Sequence, residues 1–459
     1  MNWVLAGVIF YVLLQLAIGL YVSRRTKTET DYLLAGRRLG YFMATMSIFA
    51  TWFGAETCIG SSAAVYEDGL AGSRSDPFGY TICLLFMGLV FAVPLYRRRL
   101  TTLGDLFRQR YGGGVEKIAA LVIVPSSVIW AGAQIHAFGQ VISAISNIRP
   151  EITILCAAIV VVLYTGSGGL LADAVTDAVQ GVVLILGLFF ILFAVVGELG
   201  GAYEAITKID PEKLNLLGEE ASVLERIEAW AIPIFGSVLA QELISRTLAS
   251  RSEHVAKRSA LAGAGVYFIV GAIPVIIALI GGSLVADLEE PDQFLPTVAD
   301  KLLHPALYVV FAGALISAIL STVDSALLAA AALMSHNVIL PLLPNATEEL
   351  KVRLARICVV AFGAMAYLFA IREGTIHDKV EEASAFGSAG ILIVGVFALF
   401  SGFGGKWAAG AALVMGSAAW LVSSFAFALS YPYLIALFSS LVVYVVIASL
   451  EPRASQKSA

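Results

Sequence analysis

Apolar stretches of about twenty residues recur from Asn2 to Leu450, separated mostly by short polar turns. A helix needs roughly 20 apolar residues to cross about 30 Å of hydrocarbon, so the pattern reads as repeated membrane crossing. It predicts thirteen helices, over 2–23, 39–66, 76–96, 117–147, 152–167, 170–197, 227–248, 259–285, 305–337, 352–371, 380–400, 406–428 and 431–450. One polytopic domain, 1–459, takes up the chain: a first helix and loop (2–38), blocks at 39–198 and 227–400, two last helices (401–450) and a tail (451–459). Composition agrees, at 59% hydrophobic and 14% charged residues with mean hydropathy +0.87, against about a quarter charged in soluble domains. No length is left for a soluble catalytic domain, which argues against a fused sensor kinase or a nucleotide-driven pump. The first helix lacks an early basic cluster and a small-residue cleavage site, so it reads as retained. Cys58, Cys83, Cys156 and Cys358 all fall in apolar stretches and read as buried free thiols.

Charge adds an orientation. The loops holding Arg24, Arg25, Lys27, Arg37, Arg38, Arg97, Arg98, Arg99, Arg108, Arg110 and Lys117 alternate with acidic ones at 204–228 and 287–300. Arg246, Arg251, Lys257, Arg258, Lys351, Arg353, Arg356, Lys406, Arg453 and Lys457 fall on the same basic side, making 21 of the 29 Lys and Arg residues. The positive-inside bias then puts the amino terminus outside and the carboxyl terminus in the cytoplasm.

Two helices are unfit to run straight through a bilayer. The second contains Ala50-Thr51-Trp52-Phe53-Gly54-Ala55-Glu56, and the seventh contains Pro233, Gly236, Ser237, Gln241 and Glu242. They stand five helices apart, each opening a block of five. Interrupted segments at matching positions of two halves point to an inverted-repeat transporter and its binding site. Unwound backbone at membrane depth is tolerated only where it lines a cavity or is buried in protein.

The ninth helix offers a cation site. Ala318, Ser321, Thr322 and Ser325 share one helical face, and paired hydroxyls with freed carbonyls near Ala50 and Phe53 are hard oxygen ligands suited to Na⁺. The same hydroxyls suit interhelical packing. Asp324 beside them, with Asp177 on the sixth helix, is an ionisable residue at membrane depth and thus a functional hypothesis by default. A bound cation or a shared proton would relieve the repulsion among Asp177, Asp324 and Asp173, and Ser325 would join Asp177 and Asp324 in a second cation set. Asp173 reads instead as solvated at the cytoplasmic end of its helix. For a solute, Thr51, Trp52, Glu56 and Thr57 flank the first break, and Trp130, Gln134, His136, Gln241 and Glu242 would face them. Trp faces near carboxylates favour a cationic or zwitterionic ligand.

An enzyme is not indicated. The Tyr-Asp and Gly-x-Gly-Asp contexts of an intramembrane aspartyl protease are missing, as are His-Glu-x-x-His and a Walker loop. Two alternatives remain open: the same fold coupled to protons through Asp177, Asp324 and His136, or a non-transporting membrane sensor that binds solute without moving it.

Leu163-Tyr164-Thr165-Gly166-Ser167-Gly168-Gly169-Leu170-Leu171-Ala172, with Thr176-Asp177 and Gln180, closely resembles the hallmark of the sodium/solute symporter family. Asp31-Tyr32-Leu33-Leu34-Ala35-Gly36-Arg37-Arg38 resembles its first cytoplasmic loop, and Thr102-Leu103-Gly104-Asp105-Leu106-Phe107 with Arg110-Tyr111-Gly112 its second. Ser321-Thr322-Val323-Asp324-Ser325 with Leu327-Leu328 is similar to its sodium-site helix. The resemblance implies an all-α membrane protein of thirteen helices with a five-plus-five inverted repeat and peripheral first and last helices. It implies a bacterial inner-membrane importer of a small organic solute (amino acid, quaternary amine or zwitterion, or carboxylate-like), driven by Na⁺. No organic cofactor and no nucleic acid partner is expected; the bilayer and the solute are the partners. By similarity the sodium ligands are the carbonyls of Ala50, Phe53 and Ala318 and the hydroxyls of Ser321 and Thr322, and a second site maps onto Asp177, Ser321, Asp324 and Ser325. Ala-Thr-Trp in the second helix and Trp130 look most like the choline carriers. Ala240 stands where those carry a third Trp, and Asp173 where relatives usually carry an apolar residue.

Overall fold

The computed structural model describes residues 3–146, 148–218, 222–285, 288, 290–372 and 374–451. Arg453, Lys457 and the rest of the 452–459 tail, together with Asp287 in the second acidic loop, lie outside them. Among the described residues the architecture is all-helical, with one isolated parallel bridge between Leu39 and Ser250. Among these described residues ten helices are long and apolar enough to cross a membrane, or eleven if the bent pair Ile376–Ala385 and Ser388–Phe400 is one span.

Burial sorts these helices into centre and edge. In Pro305–Ala332 every residue from Phe311 onward is buried, packed on Pro150–Glu198 and Gly113–Ser146. Only 22% of the first span and 28% of the last, Pro432–Leu450, is buried, so their apolar faces are left to lipid. Cys58, Cys83 and Cys358 are buried free thiols, but Cys156 is exposed on an outward face of its helix, which corrects the expectation for that residue.

Both predicted breaks are present. Helix Tyr41–Trp52 stops at Phe53 (φ −92°, ψ 76°), and after Gly54 and Ala55 the chain resumes as a wide turn, Glu56–Gly60, and a helix, Ser61–Asp68. In the second half, Val223–Ala231 widens at Ile232–Gly236, opens between Ser237 and Ala240, and resumes as Gln241–Ala249. Proline at 233 has no N–H to give the ladder, which accounts for the widening there. The far ends of the two broken helices are tied: Leu39 N donates to Ala249 O (3.1 Å), and Arg251 N to Leu39 O (2.9 Å).

The two loops singled out by their motifs meet at the end of the central helix. Thr102 Oγ1 donates to Asn337 Oδ1 (2.6 Å), and His336 lies 2.7 Å from Glu29 and 3.2 Å from Asp105. Burial alone raises the Asp105 carboxyl, but His336 and the N–H groups of Thr101 and Thr102 outweigh it and hold the group below its usual range. Thr28 with Asp31, and Thr102 with Asp105, form capping boxes that start the two short helices of this face.

Gly169 breaks Pro150–Glu198 with φ 67°, ψ 174°. A Cβ there would meet the carbonyl oxygen of buried Tyr32 at 2.9 Å and its Cα at 3.2 Å. Glycine is thus required both by backbone conformation and by close approach. Gly169→Ala is expected to destabilise the protein by about 1–3 kcal/mol, read as a fall of several degrees in melting temperature in detergent.

Candidate functional site

The first break faces the central helix. Ser321 Oγ donates to Ala50 O at 2.9 Å, and Thr322 Oγ1 to Thr51 O at 3.1 Å and to Ala50 O at 3.4 Å. Ser321 Oγ also stands 3.0 Å from Ala318 O. Ala50, Phe53, Ala318, Ser321 and Thr322 are all buried, and Phe53 is the residue at which the helix stops. Two hydroxyls of the central helix thus meet carbonyls at the end of the first broken helix directly. Hard oxygens without a carboxylate form a ligand set of the kind a small monovalent cation takes.

One turn along the central helix lies a charged cluster. Carboxylate oxygens of Asp173, Asp177 and Asp324 fall within 4.8 Å of one another, all buried. Arg246, itself only 1% exposed, reaches in from the second broken helix. Its Nη2 bonds Asp173 and the Ser325 hydroxyl and lies 3.9 Å from Asp177, and its Nη1 donates to Glu242 O at 3.3 Å. Ser47 Oγ donates to Asp177 Oδ2 (2.6 Å), while Ser325 Oγ donates to Ser321 O (2.6 Å). Two expectations are corrected here. Asp173 is not solvated but 3% exposed, and Arg246 is no loop charge on the cytoplasmic side. Both errors have one cause: each residue sits near a helix end in the sequence, and only packing shows that the two ends point at each other inside the bundle. That Arg246 lies four residues after Glu242, on one polar helix face, was the available signal.

The solute candidates divide. Trp52 and Trp130 meet edge to face, centroids 5.6 Å apart, and Tyr80 lies 6.3 Å from Trp130. Gln134 braces the break, accepting from Ala55 N (2.9 Å) and donating to Glu56 Oε2 (2.6 Å). Glu56 Oε1 has no hydrogen-bond partner, nor has Glu242 Oε1. A small, partly open cleft is lined by Trp130, Glu242, Ser127, Ser237, Ala240 and Ser384, among others. Thr57 turns instead to Asp76 (2.9 Å) and Tyr267 (2.9 Å), and Thr51 to Ser325 (3.2 Å). Gln241 is spent on structure, accepting from Leu103 N (2.7 Å) and donating to Ser245 (2.9 Å). His136 donates to Ala370 O (2.7 Å). Asp76, Tyr80, Tyr267 and Ser384 were not anticipated, because they reach the site from segments that look unremarkable in the sequence.

A broken pair of helices around hard oxygens and an aromatic, carboxylate-bearing cleft define a cation-coupled membrane carrier, and the comparisons agree. The profile of the sodium:solute symporter family matches residues 32–447, so the chain belongs to that family and is a multi-pass membrane transporter, not an enzyme. It is 28% identical over 412 residues to a high-affinity choline transporter of Caenorhabditis elegans, covering 82% of this chain and 69% of that one. It is 29% identical over 405 residues to the human high affinity choline transporter, covering 81% and 68%. A sodium/pantothenate symporter of Haemophilus influenzae is 25% identical over 418 residues, covering 83% and 86%. Among solved structures, a substrate-bound, outward-open Na⁺-coupled sialic acid symporter superposes with TM-score 0.85 at 18% identity, covering 98% of each chain, which shows a shared fold. Family membership supports coupling to Na⁺ and a small-molecule substrate.

Gln134 and Gln241 are expected to separate on mutation. Gln134→Ala strips Glu56 and Ala55 of their buried partner and should weaken solute binding at least ten-fold while costing about 1–3 kcal/mol. Gln241→Ala should cost a similar amount of stability and leave the solute KM within two-fold, as measured by uptake in proteoliposomes beside thermal unfolding.

Proposed function

We propose that this protein imports a small organic cation or zwitterion with Na⁺ by alternating access. The observation that carries the reading is the convergence of the Ser321 and Thr322 hydroxyls on the Ala50 and Thr51 carbonyls across the first break. On binding, the hydroxyls turn their hydrogens away and offer lone pairs, with the carbonyls of Ala50, Phe53 and Ala318 completing the set. Sodium then bridges the broken helix and the central helix, stabilising one arrangement of the two, and solute binds beside it before both leave inward. Asp177, Asp324 and Ser325 supply a second position of cation-binding chemistry.

For the solute we assign Trp52, Glu56, Trp130 and Gln134, with Glu242 from the opposite break. Aromatic faces and buried carboxylates attract an organic cation more strongly as water is excluded. Likeness to transporters named for choline supports a quaternary amine among the candidates. The proposed layout has thirteen spans, a five-plus-five inverted repeat at 39–198 and 227–400, the amino terminus outside and the carboxyl terminus in the cytoplasm of a bacterial inner membrane. The pairing of two breaks and the bias of Lys and Arg support it.

A ligand that binds only the folded state stabilises it by RT ln(1 + [L]/Kd), about 2.7 kcal/mol at a hundred-fold excess over Kd. The purified protein should therefore melt higher in NaCl than in KCl at matched ionic strength, saturably, and Ser321→Ala with Thr322→Ala should remove the difference. Equal melting in both salts sinks the sodium site and turns attention to protons. Solutes screened for a further rise in sodium should be amines, and Glu242→Gln should cut uptake of the best at least ten-fold, about 1.4 kcal/mol; undiminished uptake removes Glu242 from the site.

A further inference from the structure

We propose that the guanidinium of Arg246 is the resident cation of the carboxylate cluster, so that the position offered by Asp177, Asp324 and Ser325 is filled by the protein itself and one sodium ion is bound per molecule. The inference rests on the sodium reading of Ser321 and Thr322 only for where that one ion sits.

The Ser325 hydroxyl and one carboxylate oxygen each of Asp173 and Asp177 are already engaged, while Oδ1 of Asp173, Asp177 and Asp324 has no hydrogen-bond partner. Nη2 of Arg246 bonds Asp173 and Ser325 and stands 3.9 Å from Asp177. Ser325 accepts from that nitrogen and donates to Ser321 O, so its proton is also committed. Asp177 is held by Ser47 on one side. The three carboxylates lie within 4.8 Å of one another, leaving the guanidinium as the positive charge among them. Arginine is charged at every pH a protein meets, so this cation neither dissociates nor depends on the sodium concentration.

Asp173 acts as the tether. It stands four residues before Asp177, on the same helical face, and gives the guanidinium a carboxylate of its own. The cluster borders the hydroxyls of Ser321 and Thr322 through the Ser325–Ser321 bond, next to the position proposed for the single sodium ion. Arg246 and Asp173 are positioning residues in this account, setting how many ions the carrier takes.

The test is equilibrium binding of radiolabelled sodium to the purified, full-length protein, paired with a sodium titration of its melting temperature. Wild type should bind one ion with a Hill coefficient of about one, and Arg246→Lys, which keeps a resident cation, should do the same. Asp173→Asn with Arg246→Gln removes the internal ion pair together, leaving Asp177, Asp324 and Ser325 free, and should bind two. Two ions on wild type would overturn the proposal whether or not any variant folds. So would a folded double variant, its sodium-specific stabilisation intact, that still binds one. Ser321→Ala with Thr322→Ala should reduce wild-type binding to zero; one ion persisting there would refute the sodium assignment while leaving the count, and Arg246, in place.

Discussion

A positive charge buried in a membrane-spanning helix has to be answered inside the protein, and the cluster around Arg246 is that answer. An uncompensated ion there costs several kcal/mol at least, and breaking one partner of a buried pair costs about 3–5 kcal/mol. Asp173 bonds the guanidinium directly, and Asp177 stands 3.9 Å from it. The cluster takes Asp173 and Asp177 from Pro150–Glu198, Arg246 from Gln241–Ala249, Asp324 and Ser325 from Pro305–Ala332 and Ser47 from Tyr41–Trp52. Four helices are therefore held in one arrangement by a network none of them can satisfy alone, and two of the four belong to the broken spans.

Breaking a helix frees backbone groups, and each must find a partner in protein or face a cavity. At the first break the freed carbonyls of Ala50 and Thr51 meet the hydroxyls of the central helix, while Gln134 takes the Ala55 N–H and steadies Glu56. Hydroxyl oxygens can serve as donors to these carbonyls or as ligands beside them. That dual capacity suits the proposed sodium position, because the same groups are satisfied with and without the ion. At the second break the groups around Ser237 and Ala240 border the cleft that Trp130 and Glu242 also line. The proposed ion and solute positions share the Tyr41–Trp52 helix, which gives the proposed coupling a short physical path.

Away from the centre, the ends of the broken helices are secured to each other through Leu39, Ala249 and Arg251 and by Arg37, which donates to Leu248 O (3.3 Å) and Leu100 O (2.6 Å). The two broken helices are thereby joined to each other outside the charged cluster as well. On the central helix, the His336 and Asn337 contacts bind the Glu29–Leu34 and Leu103–Tyr111 helices to its end. Motifs that look like separate loop signatures are in fact one polar layer under the bundle.

Hydrophobic periodicity, read alone, determined the membrane class, the neighbourhood of nearly every helix and both breaks, since a helix-length apolar run and a mid-span Gly, Pro or carboxylate are local facts. It also determined the hydroxyl face of Ser321, Thr322 and Ser325, because helical spacing puts those residues together whatever surrounds them. What neighbours each face offers is not local. Asp173 looked solvated and Arg246 looked like a loop charge because both lie near helix ends; only packing put them within bonding distance and removed water from both. Gln241 looked like a ligand until the Leu103 N–H, 138 residues earlier, claimed its oxygen. Covalent sequence sets which groups a helix presents, whereas their protonation, pairing and access depend on which other helix excludes the solvent, and that was decided by the tertiary structure.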